Sequence, residues 1–307
     1  MIQKPILGKT DAEKGMLALA VLTVIYASMN VWARYLGQDF LIFQQVYLRF
    51  SLAFFLSLII FRKKLDYSKL RTVGKRDWLL LSGRGLLTGL AVVCLSLGAL
   101  NTKIGNVAFI QALPFVAFFG ILFFKEKLTI PKALLILLSL AGVLLIAVPD
   151  YNNIFQWGGG ELYALLGSAI FALVFVSRKW HSENLNNYEL STAGLFFQTL
   201  PLIIISVLVG EGMPQSSWDW GIVLVLLIAG VANIFNINLS NYGFSKVKNI
   251  VAGNILTLEV VFGALFGYLL YREVLTMKEV LGGLFIVASV IGMNRLTYRN
   301  SKIKAKG

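Results

Sequence analysis

The sequence predicts an all-α polytopic membrane protein: ten transmembrane helices in two inverted five-helix repeats, with both termini cytoplasmic. Three observations predict it. The chain holds ten apolar runs of spanning length, its basic residues fall on one side of those runs, and part of the first half recurs in the second.

Composition excludes the soluble alternative. Of 307 residues, 57% are hydrophobic and 14% charged, whereas a soluble domain is about 25% charged. Too few polar side chains exist to cover a water-facing surface. The single cysteine, Cys94, cannot build a disulfide framework. The single histidine, His181, lies in a polar stretch, so a histidine-based metal cluster is excluded and no cofactor is expected.

A helix needs roughly 20 apolar residues to cross a hydrocarbon core of about 30 Å. The windows that qualify are 15–35, 42–61, 78–100, 104–124, 130–148, 160–177, 190–210, 218–241, 249–271 and 278–296. Without water to satisfy backbone groups, such runs must be helical. The first run follows Lys4, Lys9 and Lys14 as a signal peptide would. It lacks a small-residue cleavage site and is read as an uncleaved first span.

Of the 28 Lys and Arg residues, 22 fall on the side of the N-terminus, the 62–77 loop and the C-terminal tail. Four (Arg34, Lys103, Arg272 and Lys278) fall on the other, and Arg49 and Arg84 lie within spans. The positive-inside rule places the basic side in the cytoplasm. The net charge of +13 is therefore a topology signal, and no nucleic-acid partner is expected. Trp157, Trp218 and Trp220 sit at outer span ends, where amphipathic rings favour the interface.

Sliding residues 115–143 by 147 positions onto 262–290 leaves 12 of 29 identical. The match includes Glu126-x-Leu128-Thr129 against Glu273-x-Leu275-Thr276. The repeat units are 15–148 and 160–296, followed by a basic tail, 297–307. A unit of five spans is odd, so the second copy must sit upside down relative to the first. Inverted repeats are a recurring transporter design, with the site near the midplane between halves.

Several segments carry a family resemblance: VYLRFSLAFFL (46–56), ALPFVAFFGILFFKEKLT (112–129), LSLAGVLLI (138–146), LTLEVVFGALFGYLLYREVLT (256–276) and LGGLFIVASVIGM (281–293). On these segments the chain resembles the drug/metabolite transporter superfamily, in its EamA-like branch. The family's frequent Glu-Pro step in helix nine is Glu259-Val260 here, while Pro114 keeps the kink position in helix four. The resemblance implies transport of small metabolites, often export of amino acids or related compounds.

Polar residues inside spans are costly and mark function or paired structure. Glu259 and Arg49 lie mid-span, and Arg84 lies one turn inside the cytoplasmic end of helix three. Either of the first two could bind a charged substrate group or form a structural pair. Glu259, the one mid-span carboxylate, is also the candidate for proton coupling. Tyr26, Asn30, Gln111, Gln198, Asn233 and Asn236 complete the substrate-binding candidates, in a cavity that suits a small zwitterion. The bland reading of the amides is interhelical hydrogen bonding at about 0.6 kcal/mol each. Glu126 and Glu273 read as interfacial turn residues, and GLLTG (85–89) and GALFG (263–267) as helix-packing motifs.

The sequence therefore points to a secondary transporter of small polar metabolites in the cell membrane, with a lipid-linked-substrate flippase as the alternative. No Walker motif or catalytic cluster supports ATP coupling or an enzyme. The topology is testable. In a Cys94→Ser background, single cysteines at Asn153 and Ser216 should react with impermeant reagents from outside, and one at Lys69 should not. The reverse pattern would overturn the orientation.

Overall fold

The computed structural model describes residues 11–71, 73–113, 115, 119, 129–148, 158–177, 185–215, 218–246 and 255–304. Among them are ten α-helices: α1 (Asp11–Leu36), α2 (Ile42–Ile60), α3 (Lys75–Asn101), α4 (Ile104–Gln111), α5 (Ile130–Ala147), α6 (Gly159–Ser177), α7 (Asn187–Leu208), α8 (Trp220–Lys246), α9 (Leu258–Tyr271) and α10 (Met277–Lys304). No strand occurs among the described residues.

Six helices are long and apolar enough to cross a bilayer: Glu13–Leu36, Ile42–Ile60, Lys75–Asn101, Ile130–Ala147, Asn187–Leu208 and Trp220–Ser240. Gly159–Val174 and Leu258–Tyr271 are shorter apolar helices. The expected span 104–124 is described as a helix only to Gln111, because 114 and most of the residues after it lie outside the described set. Eight residues at about 1.5 Å each cover less than half of a ~30 Å core. Pro114 and Glu126, like His181, Asn153, Trp157 and Ser216, also lie outside the described residues.

Apolar side chains face both ways. On α5, Ile130, Leu134, Leu137 and Leu144 point outward and exposed, while Val143, Ile146 and Ala147 are buried. An exposed apolar stripe of this length would be a liability in water. In a bilayer it is the lipid face, and the molecule is a multi-pass membrane protein.

The helices of one half lie against their counterparts in the other. Along α4 and α9, Gly263 meets Ala108 while Gly267 lies beside Ile104, so the two run antiparallel. Along α5 and α10, Gly142 and Gly282 approach each other's backbone, Gly292 meets Leu135, and the Ser289 hydroxyl donates to the Leu135 carbonyl at 2.6 Å. This pair is antiparallel too. Between α2 and α7, Phe43 meets Glu211 at one end and Lys64 meets Tyr188 at the other. The remaining large contacts also come in exchange pairs: α3 with α6 and α8 with α1, α3 with α7 and α8 with α2, α1 with α9 and α6 with α4.

Small residues permit these approaches, as is usual where lipid offers no hydrophobic drive for association. Gly85 and Gly89 face Phe197 and Leu202 of α7, so the GLLTG segment packs α3 on α7.

Helix ends are tied across the halves. The Glu211 carboxylate accepts from the amides of Phe43 (2.9 Å) and Gln44 (3.1 Å), capping an α2 whose own N-cap is Leu41. At the other end Asn186 and Glu189 form a capping box on α7. Glu189 also accepts from the Asp66 amide at 3.1 Å. In that loop, the hydroxyl and amide of Ser68 donate to Asp66 and hold its carboxyl below the usual carboxylate range. A Gly142→Val change would push a methyl group into the Gly282 carbonyl and Ile286. It should cost about 1–3 kcal/mol, read as a lower unfolding midpoint in detergent, with little effect expected from the same change at exposed Gly83.

Candidate functional site

A cavity of about 120 Å³ lies between α1, α2 and α3 of the first half and α6, α7 and α8 of the second. Its polar lining is Tyr26, Arg84, Thr88, Gln198, Asn233, Asn236 and Ser240. Arg84 is the charged member among the described lining residues. The lining runs from Tyr26 in the middle of α1 to Leu81, Leu190 and Ser240, near the bundle end that carries the 62–77 loop.

Of the eight residues expected at the site, Tyr26, Gln198, Asn233 and Asn236 line this cavity. The Asn233 amide donates to the Ala229 carbonyl at 2.9 Å, which leaves its oxygen side available. Asn30 and Gln111 are elsewhere. They bond each other at 2.8 Å across 81 residues of sequence, joining α1 to α4.

Arg49 is 2% exposed. Its Nε donates to the Gln45 carbonyl at 3.2 Å and its Nη2 to the Ser96 hydroxyl at 3.1 Å. Glu259 sits in the first turn of α9 and has one carboxylate oxygen buried with no hydrogen-bond partner among the described residues. Arg49 and Glu259 form no ion pair with each other, since α2 and α9 make no substantial contact.

The opposite end of the bundle is closed by charge. Arg34, at the end of α1, pairs with Glu273 after α9 and donates to the carbonyls of Ala99 (2.6 Å) and Thr102. Its guanidinium also lies over the Tyr271 ring, 5.0 Å from the centroid. The second oxygen of Glu273 accepts from the Ile104 amide at 2.8 Å, at the start of α4. Arg272 makes this possible. It adopts the left-handed conformation (φ 54°) that helix ends usually reserve for glycine, closing a turn in which the Glu273 amide reaches back to the Gly267 carbonyl.

Beside this pair, Lys103 bridges to Glu279 at 2.7 Å. The Asn106 amide donates to Glu279 (2.9 Å) and, more weakly, to Glu161 (3.4 Å), which also accepts from the Thr102 hydroxyl. Six helices thus meet in one polar knot.

Sequence reading took Glu273 for a turn residue and missed its pairing with Arg34. The signal that could have found it was the repeated Glu-x-Leu-Thr turn combined with the scarcity of basic residues on that side.

A family model for the EamA-like transporter family matches residues 13–148 and again 158–295. The chain is 26% identical to the "Pseudopaline exporter CntI" of Pseudomonas aeruginosa over 224 residues, 69% of this chain and 73% of that protein. It is 27% identical to an "uncharacterized transporter" of Archaeoglobus fulgidus over 90% of this chain and 95% of that one. A chloroplastic WAT1-related protein of Arabidopsis thaliana is 26% identical over 58% of this chain, and the match spans 45% of that longer relative. A solved crystal structure shares the fold at a TM-score of 0.64 and 14% identity, covering 92% of this chain and 98% of the other.

The Arg34–Glu273 pair is mostly buried, with side-chain exposures of 17% and 12%. Removing one partner of such a pair strands the other, at about 3 kcal/mol. Glu273→Gln should therefore lower the unfolding midpoint of the purified protein more than Glu13→Gln on the exposed start of α1, and the Glu273→Gln/Arg34→Gln double variant should recover part of the loss.

Proposed function

The chain belongs to the EamA-like transporter family, and from that premise we propose that it is a secondary transporter exporting a small polar metabolite, such as an amino acid or related compound, by alternating access. In this reading the chain crosses the membrane ten times in two inverted five-helix repeats, 15–148 and 160–296, with both termini cytoplasmic. The antiparallel packing of α4 on α9 and of α5 on α10 supports it.

One observation carries the mechanism. A cavity between the halves, with Arg84 and the amides of Gln198, Asn233 and Asn236 in a largely apolar lining, reaches toward the loop-rich, basic end, while the far end is tied by the Arg34–Glu273 and Lys103–Glu279 pairs. With the basic end cytoplasmic, this is an inward-facing arrangement. Substrate enters from the cytoplasm and meets the amides of Gln198, Asn233 and Asn236. Rocking of the two halves then closes the inner end and separates the outer pairs. A ligand can drive that exchange only by its differential affinity for the two states. Amides suit the task, because each offers both a donor and an acceptor and carries no charge that must be moved through the membrane. The name of the Pseudomonas relative supports the export direction.

Glu259 is the proposed proton carrier, because one of its carboxylate oxygens is buried with no hydrogen-bond partner among the described residues. Its protonation then differs between the state that buries it and one that opens it to water.

Proteoliposome counterflow with labelled amino acids, purines and lipid-linked sugars tests the reading. Asn233→Leu or Asn236→Leu should reduce transport of the active compound about tenfold, the worth of one or two lost hydrogen bonds, with unchanged yield of folded protein. Equal losses of folding and transport would assign the amides to packing. Glu259→Gln should abolish accumulation driven by a pH gradient while downhill exchange persists. Accumulation unchanged in that variant would reject the proton role.

A further inference from the structure

The face of α3 that lines the cavity is a single stripe: Leu81, Gly85, Thr88 and Val92, at helical spacings of four, three and four. The next position on that stripe is Ser96, whose hydroxyl takes a hydrogen bond from Arg49. On α2 the residue beside Arg49, Phe50, is itself a cavity wall. Arg49 therefore lies next to the cavity wall, on the side away from the 62–77 loop.

Among the described residues this guanidinium has no counter-charge. Its hydrogen bonds go to the Gln45 carbonyl and the Ser96 hydroxyl, and no carboxylate pairs with it among the described residues. One turn away on the same face of α2, Gln45 is fully buried, and both its amide nitrogen and its oxygen lack partners. A buried cation is ordinarily matched by an anion, and a buried amide by a hydrogen-bond partner. Here, among the described residues, a cation held only by neutral groups and an amide without a partner sit one turn apart.

We infer that Arg49, Ser96 and Gln45 form the anion subsite of the transport path, and that the transported metabolite is an organic anion bearing a carboxylate or an equivalent acidic group. Arg84, the charged residue of the cavity lining, gives the inner approach the same sign. The acid group is drawn past Arg84, and it reaches Arg49 when the packing around Phe50 at the cavity wall opens. Arginine suits this role because its planar fork offers two parallel donors to a carboxylate. The inference rests on the transporter reading for the word substrate, though not for the existence of the subsite.

The experiment uses the full-length protein purified in detergent. Its unfolding temperature is measured with succinate, benzoate or inorganic phosphate, with the uncharged amides succinamide and benzamide, and with the cation putrescine. A carboxylate should raise the unfolding temperature by several degrees where its matched amide does not. That shift should vanish in Arg49→Gln and survive in part in Arg49→Lys.

A variant that needs no ligand tests the missing counter-charge. Ser96→Asp places a carboxylate where the Arg49 guanidinium already points. It should raise the unfolding temperature of the ligand-free protein and abolish the carboxylate shift, even if Arg49→Gln fails to fold. The subsite is overturned if Ser96→Asp destabilises the protein and no carboxylate exceeds its amide. Stabilisation by phosphate alone overturns the organic anion and leaves only an inorganic-ion site.

Counterflow of labelled succinate and benzoate in proteoliposomes separates this inference from the transporter reading. Carboxylate binding without counterflow of any tested compound counts against transport and leaves the anion subsite standing. Saturable counterflow of an amide or amine with none of a carboxylate does the opposite.

Discussion

In the hydrocarbon core of a bilayer no water is available to a backbone N–H or C=O, and each unsatisfied group costs several kcal/mol. That constraint organises this chain at every level. It makes the apolar runs helices. It turns hydroxyls inward on their own helices, as Thr23, Ser57, Ser168 and Thr199 each bond a carbonyl three or four residues back. Where a helix begins without a capping side chain, as α2 does at Leu41, the missing acceptor comes from Glu211 of the other half. The association of helices cannot rest on apolar burial either, since lipid tails are as apolar as leucine. Glycines let backbones approach instead, as Gly142 does against Gly282 and Gly85 against Phe197.

The same constraint divides the polar residues into two groups. At the end away from the 62–77 loop, most described charges have a partner. Arg34 has Glu273, Lys103 has Glu279, and Asn106 and Thr102 share Glu161. In the middle of the bundle Asn30 bonds Gln111 and Asn233 its own helix, while among the described residues Arg49 has no carboxylate and Gln45 and Glu259 keep unpartnered atoms. In the proposed reading, paired charges hold a state and the groups with unmet capacity take a ligand or a proton. In the proposed cycle the outer pairs must separate and become hydrated, so their strength sets how far the inward-facing state is favoured.

Much of the architecture was legible in the sequence because hydropathy and repeat offset are one-dimensional signals. The expected span 42–61 is α2 at Ile42–Ile60, and 130–148 is α5 at Ile130–Ala147. Helical spacing also placed Tyr26, Gln198, Asn233 and Asn236 on interior faces, and these four meet in the cavity. What periodicity cannot carry is the partner across the bundle. It put Asn30 and Gln111 in the candidate site, and their mutual bond is set by how α1 crosses α4. It treated Glu273 as a turn residue, because nothing local reveals that Arg34, 239 positions earlier, arrives beside it. Ser96 drew no notice at all, being one serine in an apolar helix until Arg49 is seen against it.

Arg49 also shows why a purely structural reading is the weaker one. A buried ionic group seldom stabilises a fold better than apolar residues of similar volume, and an arginine at mid-span costs a few kcal/mol even by insertion scales. Its two bonds, to its own helix and to a neutral hydroxyl, join α2 to α3. Those helices are already held in one cluster by Phe50, Val93 and Leu195. An uncharged residue could serve that join without the desolvation cost. Arg34 makes the contrast: it is equally cationic, yet it is fitted with a carboxylate, two carbonyls and an aromatic face. The fold can therefore satisfy a buried guanidinium where its role is to hold helices together. At Arg49, among the described residues, it supplies neutral partners and no carboxylate, beside an orphan amide and next to a cavity wall, which is where the proposed acidic group on a passing molecule would be met.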